Sequence, residues 1–121
     1  MTEISLEFWF DAAHHFLHEP EGHPYRALHG HSFRAEVVLR GEPDPVSGFV
    51  ADFAVLEAAC QSVRTQLDHR FLNDIEALRV PSLENIARFI FEQLQPVLGK
   101  VARVTLHRDS CRQACTYYGP D

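Results

Sequence analysis

The sequence predicts an α+β domain: a four-stranded antiparallel sheet with two helices packed on one face, in the order β-β-α-α-β-β. Three observations predict it. Two segments of alternating apolar and polar residues come first, two segments with apolar residues three and four apart follow, and two short strand-like segments close the chain. Strands at both ends with helices between them favour an antiparallel sheet covered on one side. With 121 residues, 45% of them hydrophobic, residues 1–121 form a single domain with a real core.

Each element follows from its pattern. Ile4, Leu6, Phe8, Phe10 and Ala12 alternate with Ser5, Glu7, Trp9 and Asp11, which gives a strand one apolar face. The same parity reaches His14. Residues 15–28 hold two prolines, two glutamates, His18 and His23, and read as a loop. Phe33, Ala35, Val37 and Leu39 share parity with His29 and His31, so a second strand carries both histidines on its apolar face. Residues 41–48, with Pro43, Asp44 and Pro45, make a turn. Asp52 caps a helix that runs to about Leu67, with Phe53, Leu56, Cys60, Val63 and Leu67 as its apolar stripe. Asn73-Asp74 begins a connection. Ser82 caps a second helix, Glu84 suits its N-terminal dipole, and Leu83, Ile86, Ala87, Ile90, Leu94 and Val97 form the buried stripe. After Gly99, Val101–Arg108 is a strand, and residues 114–118 are a short final one.

Composition excludes several classes. No run is long and apolar enough to span a membrane, and no charged segment followed by an apolar one opens the chain, so a cytoplasmic protein is expected. The formal net charge is −6 and Lys100 is the single lysine, which disfavours nucleic acid as a partner. Cys60, Cys111 and Cys115 are odd in number and lack C-x-x-C spacing, against a disulfide framework or a cysteine zinc site.

The chemistry lies in the histidines. Residues at i and i+2 of a strand share a face, so His29 and His31 can meet one metal ion. A third nitrogen from His14 completes a three-histidine zinc site with an open fourth position, the pattern of catalytic rather than structural zinc. His-x-His alone is a weak motif. Here it belongs to an ordered series: Phe10-Asp-Ala-Ala-His14, Leu28-His-Gly-His31-Ser-Phe33, Gly48-Phe-Val-Ala-Asp52-Phe53, Leu67-Asp-His69, Pro81-Ser-x-Glu-Asn85, and Asp109-Ser110 with Tyr117 beyond.

From about Phe8 to Gly119 this series resembles the 6-pyruvoyltetrahydropterin synthase / 6-carboxytetrahydropterin synthase family. Glu19-Pro-Glu-Gly-His23 and the tail Asp109-Ser-Cys-x-x-x-Cys115 lean towards the bacterial 6-carboxytetrahydropterin synthases of queuosine biosynthesis. The resemblance implies a tunnelling fold, whose subunits join into barrels, often homohexamers, with active sites between subunits. It implies Zn2+ on His14, His29 and His31, where Lewis-acid work on a dihydropterin side chain is done. Asp68 and His69 match the family's catalytic Asp-His, a carboxylate-oriented proton relay. Read without the family, the same pair simply ends a helix, with a histidine favourable to its dipole. Asp109, beside Ser110, falls where the family has a Glu that grips the pterin's amino-pyrimidine edge through two parallel hydrogen bonds. Asp reaches about 1.5 Å less.

One departure stands out. The family carries a catalytic Cys a few residues before His-x-His, and alignment from either side puts Tyr25 there. A thiol readily forms a thiolate base near neutral pH, whereas a phenol ordinarily ionises at about pH 10. Two readings follow. One is a zinc-dependent carbon–carbon lyase that converts 7,8-dihydroneopterin triphosphate to 6-carboxy-5,6,7,8-tetrahydropterin, acetaldehyde and triphosphate. The other is a zinc-binding paralogue with altered or lost synthase activity that binds a different pterin. A third, a zinc-holding protein, would use His14, His15, His18 and His23 collectively with the His-x-His pair.

Overall fold

A computed structural model describes residues 1–121. Strands β1 (Thr2–His14) and β2 (His29–Gly41) pair along their whole length, antiparallel, with Phe10 opposite Phe33 and His14 opposite His29. Helix α1 (Phe53–Leu67) follows, then a two-residue strand β3 (Arg70–Phe71), helix α2 (Leu83–Leu98), and strands β4 (Val101–Arg108) and β5 (Gln113–Tyr117). The sheet order is β3-β1-β2-β4-β5. The expected four strands are all present, and β3 adds a fifth. It pairs parallel with Ala12 and Ala13 at the end of β1. Two residues carry no alternation, which is why the sequence did not reveal it.

Both helices lie on one face of the sheet. The even residues of β1 and odd residues of β2 meet them there, and Phe10 and Phe33 stack with ring centroids 5.0 Å apart. Leu56, Leu67, Ile86, Ile90 and Leu106 are fully buried around this stack. The caps fall where expected: Asp52 Oδ1 accepts from the Ala54 N–H at 2.8 Å, and Ser82 Oγ from the Asn85 N–H at 3.2 Å. Gly99 ends α2 in the left-handed region (φ 75°), where a side chain would be strained. Two stripe positions differ from expectation. Phe53 and Val97 are exposed, each in a terminal turn of its helix. Phe89 and Phe91 are buried instead, so α2 is apolar over a wider arc than its stripe showed. The last strand begins at Gln113, one residue early. No helix is long and apolar enough to cross a membrane.

Candidate metal centre and acid–base site

The register of β1 against β2 builds a histidine cluster. His14 and His29 face each other across the two strands, and His31 lies diagonally beyond, on the same face. Gly30 between them permits close approach, since a Cβ there would sit 3.3 Å from the Ala12 carbonyl oxygen. The ring centroids are 4.5 Å (His14–His29), 5.2 Å (His14–His31) and 5.0 Å (His29–His31) apart. One nitrogen from each ring lies within 4.8 Å of the others.

The outer hydrogen bonds fix two tautomers. His14 Nδ1 lies 2.8 Å from the Pro81 carbonyl oxygen, and His29 Nδ1 2.7 Å from that of Ala27. A carbonyl only accepts, so each Nδ1 carries a proton, and in the neutral ring Nε2 keeps its lone pair. His14 Nε2 and His31 Nε2 are buried with no hydrogen-bond partner. Leaving such atoms unpaired costs about 1–3 kcal/mol each, and a cation shared by the lone pairs removes that cost. Burial lowers the His14 pKa to about 4 against the raising effect of Pro81, with His29, His31 and Arg108 adding repulsion. Burial, then Arg108 and His29, lower His31. Both imidazoles are therefore neutral at pH 7, the form that ligates metal. The donor set fits zinc or a similar ion.

The remaining loop histidines do not join. His15 packs on Phe71, His18 lies beside Glu19, and His23 Nδ1 accepts from the Tyr25 N–H. A collective zinc store has no geometric basis in this arrangement. Tyr25 is half exposed, its ring 6.4 Å from His29 and 4.8 Å from His23. With Phe16, Ser82, Glu84 and Arg108 it lines a cavity of about 250 Å³.

Asp68 and His69 form a second group, with a residue that sequence reasoning missed. The Asp11 N–H donates to Asp68 Oδ1 at 2.9 Å, and the Asp11 carbonyl accepts from the His69 N–H at 2.6 Å. Asp68 Oδ2 holds Arg64 Nη2 and His69 Nδ1, each at 3.0 Å. His69 adopts φ 59°, uncommon for a non-glycine residue, so its ring leaves the helix axis and is 80% exposed. Its Nδ1 is oriented by Asp68. Asp11 lies within Phe10-Asp-Ala-Ala-His14, but its parity puts it on the polar face and no spacing rule links it to Asp68. His31 and His69 both border one cleft of about 560 Å³, with Asp11, Ser32 and Phe71.

The Asp11 N–H, then His69 and Arg64, hold the Asp68 carboxyl below the usual carboxylate range. A depressed carboxyl stabilises the fold above its unfolded pKa, and that contribution vanishes as pH falls through the folded value. Thermal melts from pH 7 to 3 are expected to show a shallower acid-side loss in Asp68→Asn than in wild type. Equal slopes would show that Asp68 gains nothing from these donors.

Asp109 and Ser110 directly follow β4. Ser110 is exposed, its Oγ 3.8 Å from Cys111 Sγ. Asp109 takes a two-pronged ion pair from Arg34, which the sequence did not single out because it faces the polar side of β2.

Comparison with known proteins agrees with this geometry. The sequence profile of 6-pyruvoyl tetrahydropterin synthase matches residues 3–120. The chain is 38% identical over 129 aligned positions to a 6-carboxy-5,6,7,8-tetrahydropterin synthase of Synechocystis, covering 99% of this chain and 95% of the relative. It is 42% identical to a dihydroneopterin monophosphate aldolase of Pyrococcus furiosus over 71% of this chain and 68% of the other. The 6-pyruvoyl tetrahydropterin synthase structure from Caenorhabditis elegans superposes with a TM-score of 0.85 at 31% identity, covering 99% of this chain and 98% of that one. Together with the profile match across nearly every residue, these likenesses place the chain in the 6-pyruvoyl tetrahydropterin synthase family.

Proposed function

We propose that this chain is a zinc-dependent, 6-carboxy-5,6,7,8-tetrahydropterin synthase-like lyase that acts on 7,8-dihydroneopterin triphosphate in a queuosine precursor pathway. The observation that carries the reading is the convergence of one nitrogen each from His14, His29 and His31 within 4.8 Å, with the Nε2 atoms of His14 and His31 buried and unpaired. Zinc held there supplies Lewis-acid polarisation of substrate oxygens. The chain's own residues do the rest. Asp68 fixes His69 Nδ1–H, which leaves His69 Nε2 free to take or give a proton at the cleft. Tyr25 occupies the place of the family's thiol, and its phenol is the candidate proton acceptor on the cavity side. Asp109 is the acceptor for the pterin's amino-pyrimidine edge, with Ser110 beside it.

A second reading is a zinc-binding paralogue with different pterin chemistry. It is favoured by Tyr25 in place of the thiol, and by the likeness to an aldolase that uses dihydroneopterin monophosphate. Zinc-loaded protein given 7,8-dihydroneopterin triphosphate, with products identified by mass spectrometry, separates the two. The 6-carboxy product with acetaldehyde and triphosphate supports the synthase. Side-chain cleavage without the 6-carboxy product selects the second reading.

The reading includes a homohexamer. Only Ala12 and Ala13 of the thirteen residues of β1 pair on its outer edge, and β5 leaves the other edge of the sheet open. A long open edge is a template for pairing with another strand, and a second copy of the chain supplies one. Light scattering is expected to give about six times the 13.8 kDa subunit mass. A concentration-independent monomer would refute assembly through these edges.

A further inference from the structure

Arg34 sits in the middle of β2, opposite Trp9 of β1 and His107 of β4, on the face away from the helices. Its guanidinium makes three ionic hydrogen bonds. Nε donates to Asp109 Oδ2 at 3.0 Å, Nη2 to Asp109 Oδ1 at 3.2 Å, and Nη1 to Glu7 Oε2 at 2.9 Å. The guanidinium carbon lies 5.8 Å from the Trp9 ring centroid. The first two bonds are a fork, two parallel N–H groups on the two oxygens of one carboxylate.

A pterin presents the same shape. Its ring N3–H and 2-amino group are part of a cyclic guanidine, and they too offer two parallel N–H donors. A carboxylate has about four lone-pair sites, but only the convergent pair can accept such a fork. Arg34 and a pterin edge therefore need the same two lone pairs of Asp109. The shorter Asp keeps that carboxylate near the strand, within reach of Arg34. Glu7, already bonded to the third guanidinium nitrogen, offers Arg34 somewhere else to go.

We propose that Arg34 is a competitor for the pterin edge at Asp109, displaced onto Glu7 when a ligand with a two-donor guanidine edge binds. This rests on the reading of Asp109 as the pterin acceptor. A ligand with a single donor at that edge cannot replace the fork and gains nothing by displacing it. Arg34 thus opposes only ligands whose edge takes the fork, 2-amino-4-oxo pteridines and not their 2-oxo counterparts.

The test measures binding of pterin and of lumazine, its 2-oxo analogue, to zinc-loaded protein by isothermal titration calorimetry. Exposed ion pairs are worth up to about 1 kcal/mol, so Arg34→Met is expected to tighten pterin about five-fold and leave lumazine unchanged. Arg34→Lys keeps the charge but cannot form the fork, and is expected to tighten pterin by less. Glu7→Gln is expected to weaken pterin binding in wild type and to have no effect in the Arg34→Met background, a coupling that a purely structural Glu7 would not show. Weaker pterin binding by Arg34→Met overturns the proposal, as does an equal gain for lumazine, or no pterin binding by any variant. Asp109→Asn tests the underlying reading separately. It is expected to lose pterin both alone and in the Arg34→Met background. If it binds pterin as wild type does, Asp109 is not the acceptor and the competition falls with it.

Discussion

His29→Ala protein is expected to retain no zinc after loading and dialysis, while wild type, His15→Ala and His18→Ala each retain one equivalent per subunit by plasma mass spectrometry. The difference follows from which rings converge. His14, His29 and His31 bring their nitrogens within 4.8 Å of one another, whereas the rings of His15 and His18 pack against Phe71 and Phe16. Changing a residue that merely orients a ligand costs about 10–100-fold in metal affinity, and deleting a ligand costs more. A chelator offers a second measurement. Metal at about 100 times its Kd adds about 2.7 kcal/mol of stability, so chelation is expected to lower the melting temperature of wild type and not of His29→Ala. Full zinc occupancy in His29→Ala would eliminate this site.

Turnover is expected to respond as strongly to Tyr25. A positioned general base contributes about 10²–10⁴-fold, so wild type is expected to form 6-carboxytetrahydropterin more slowly than a thiol-bearing relative by up to that range. Tyr25→Cys is expected to raise the rate, because the new thiol would lie on the same cavity wall, near His29. Tyr25→Phe then separates two roles. It abolishes residual activity if the phenol is the base, and leaves it unchanged if the ring only fills the wall with Phe16. Family-level turnover by both wild type and Tyr25→Phe would move the search to His23, Cys111 or Cys115. The His23 ring lies 4.8 Å from that of Tyr25. Burial and Glu84 push the Cys115 thiol up, which makes it a poorer thiolate source than a free one.

These experiments fall on residues of different legibility. The helix caps Asp52 and Ser82, the strand alternations and the parity of His14 with Phe10 could be read directly, because each is a local rule with a fixed period. The wider apolar arc of α2 could not, since Phe89 and Phe91 are buried by where the helix lies on the sheet rather than by their spacing. Strand β3 was invisible for the related reason that it exists only as a partner to the end of β1.

Periodicity and chain order were enough for the α+β class, the succession of elements, and the presence of three histidines on apolar strand faces. None of these needs a contact between distant residues. The folded chain was required to show that His14 faces His29, and that the Pro81 and Ala27 carbonyls turn the Nε2 lone pairs into the site. It was required equally to show that the Asp11 backbone fixes Asp68 and His69, and that Arg34 already holds Asp109. Each of these pairs residues far apart in the chain or fixes the direction of a side chain. Such pairings depend on strand register and loop path, and no local pattern encodes either.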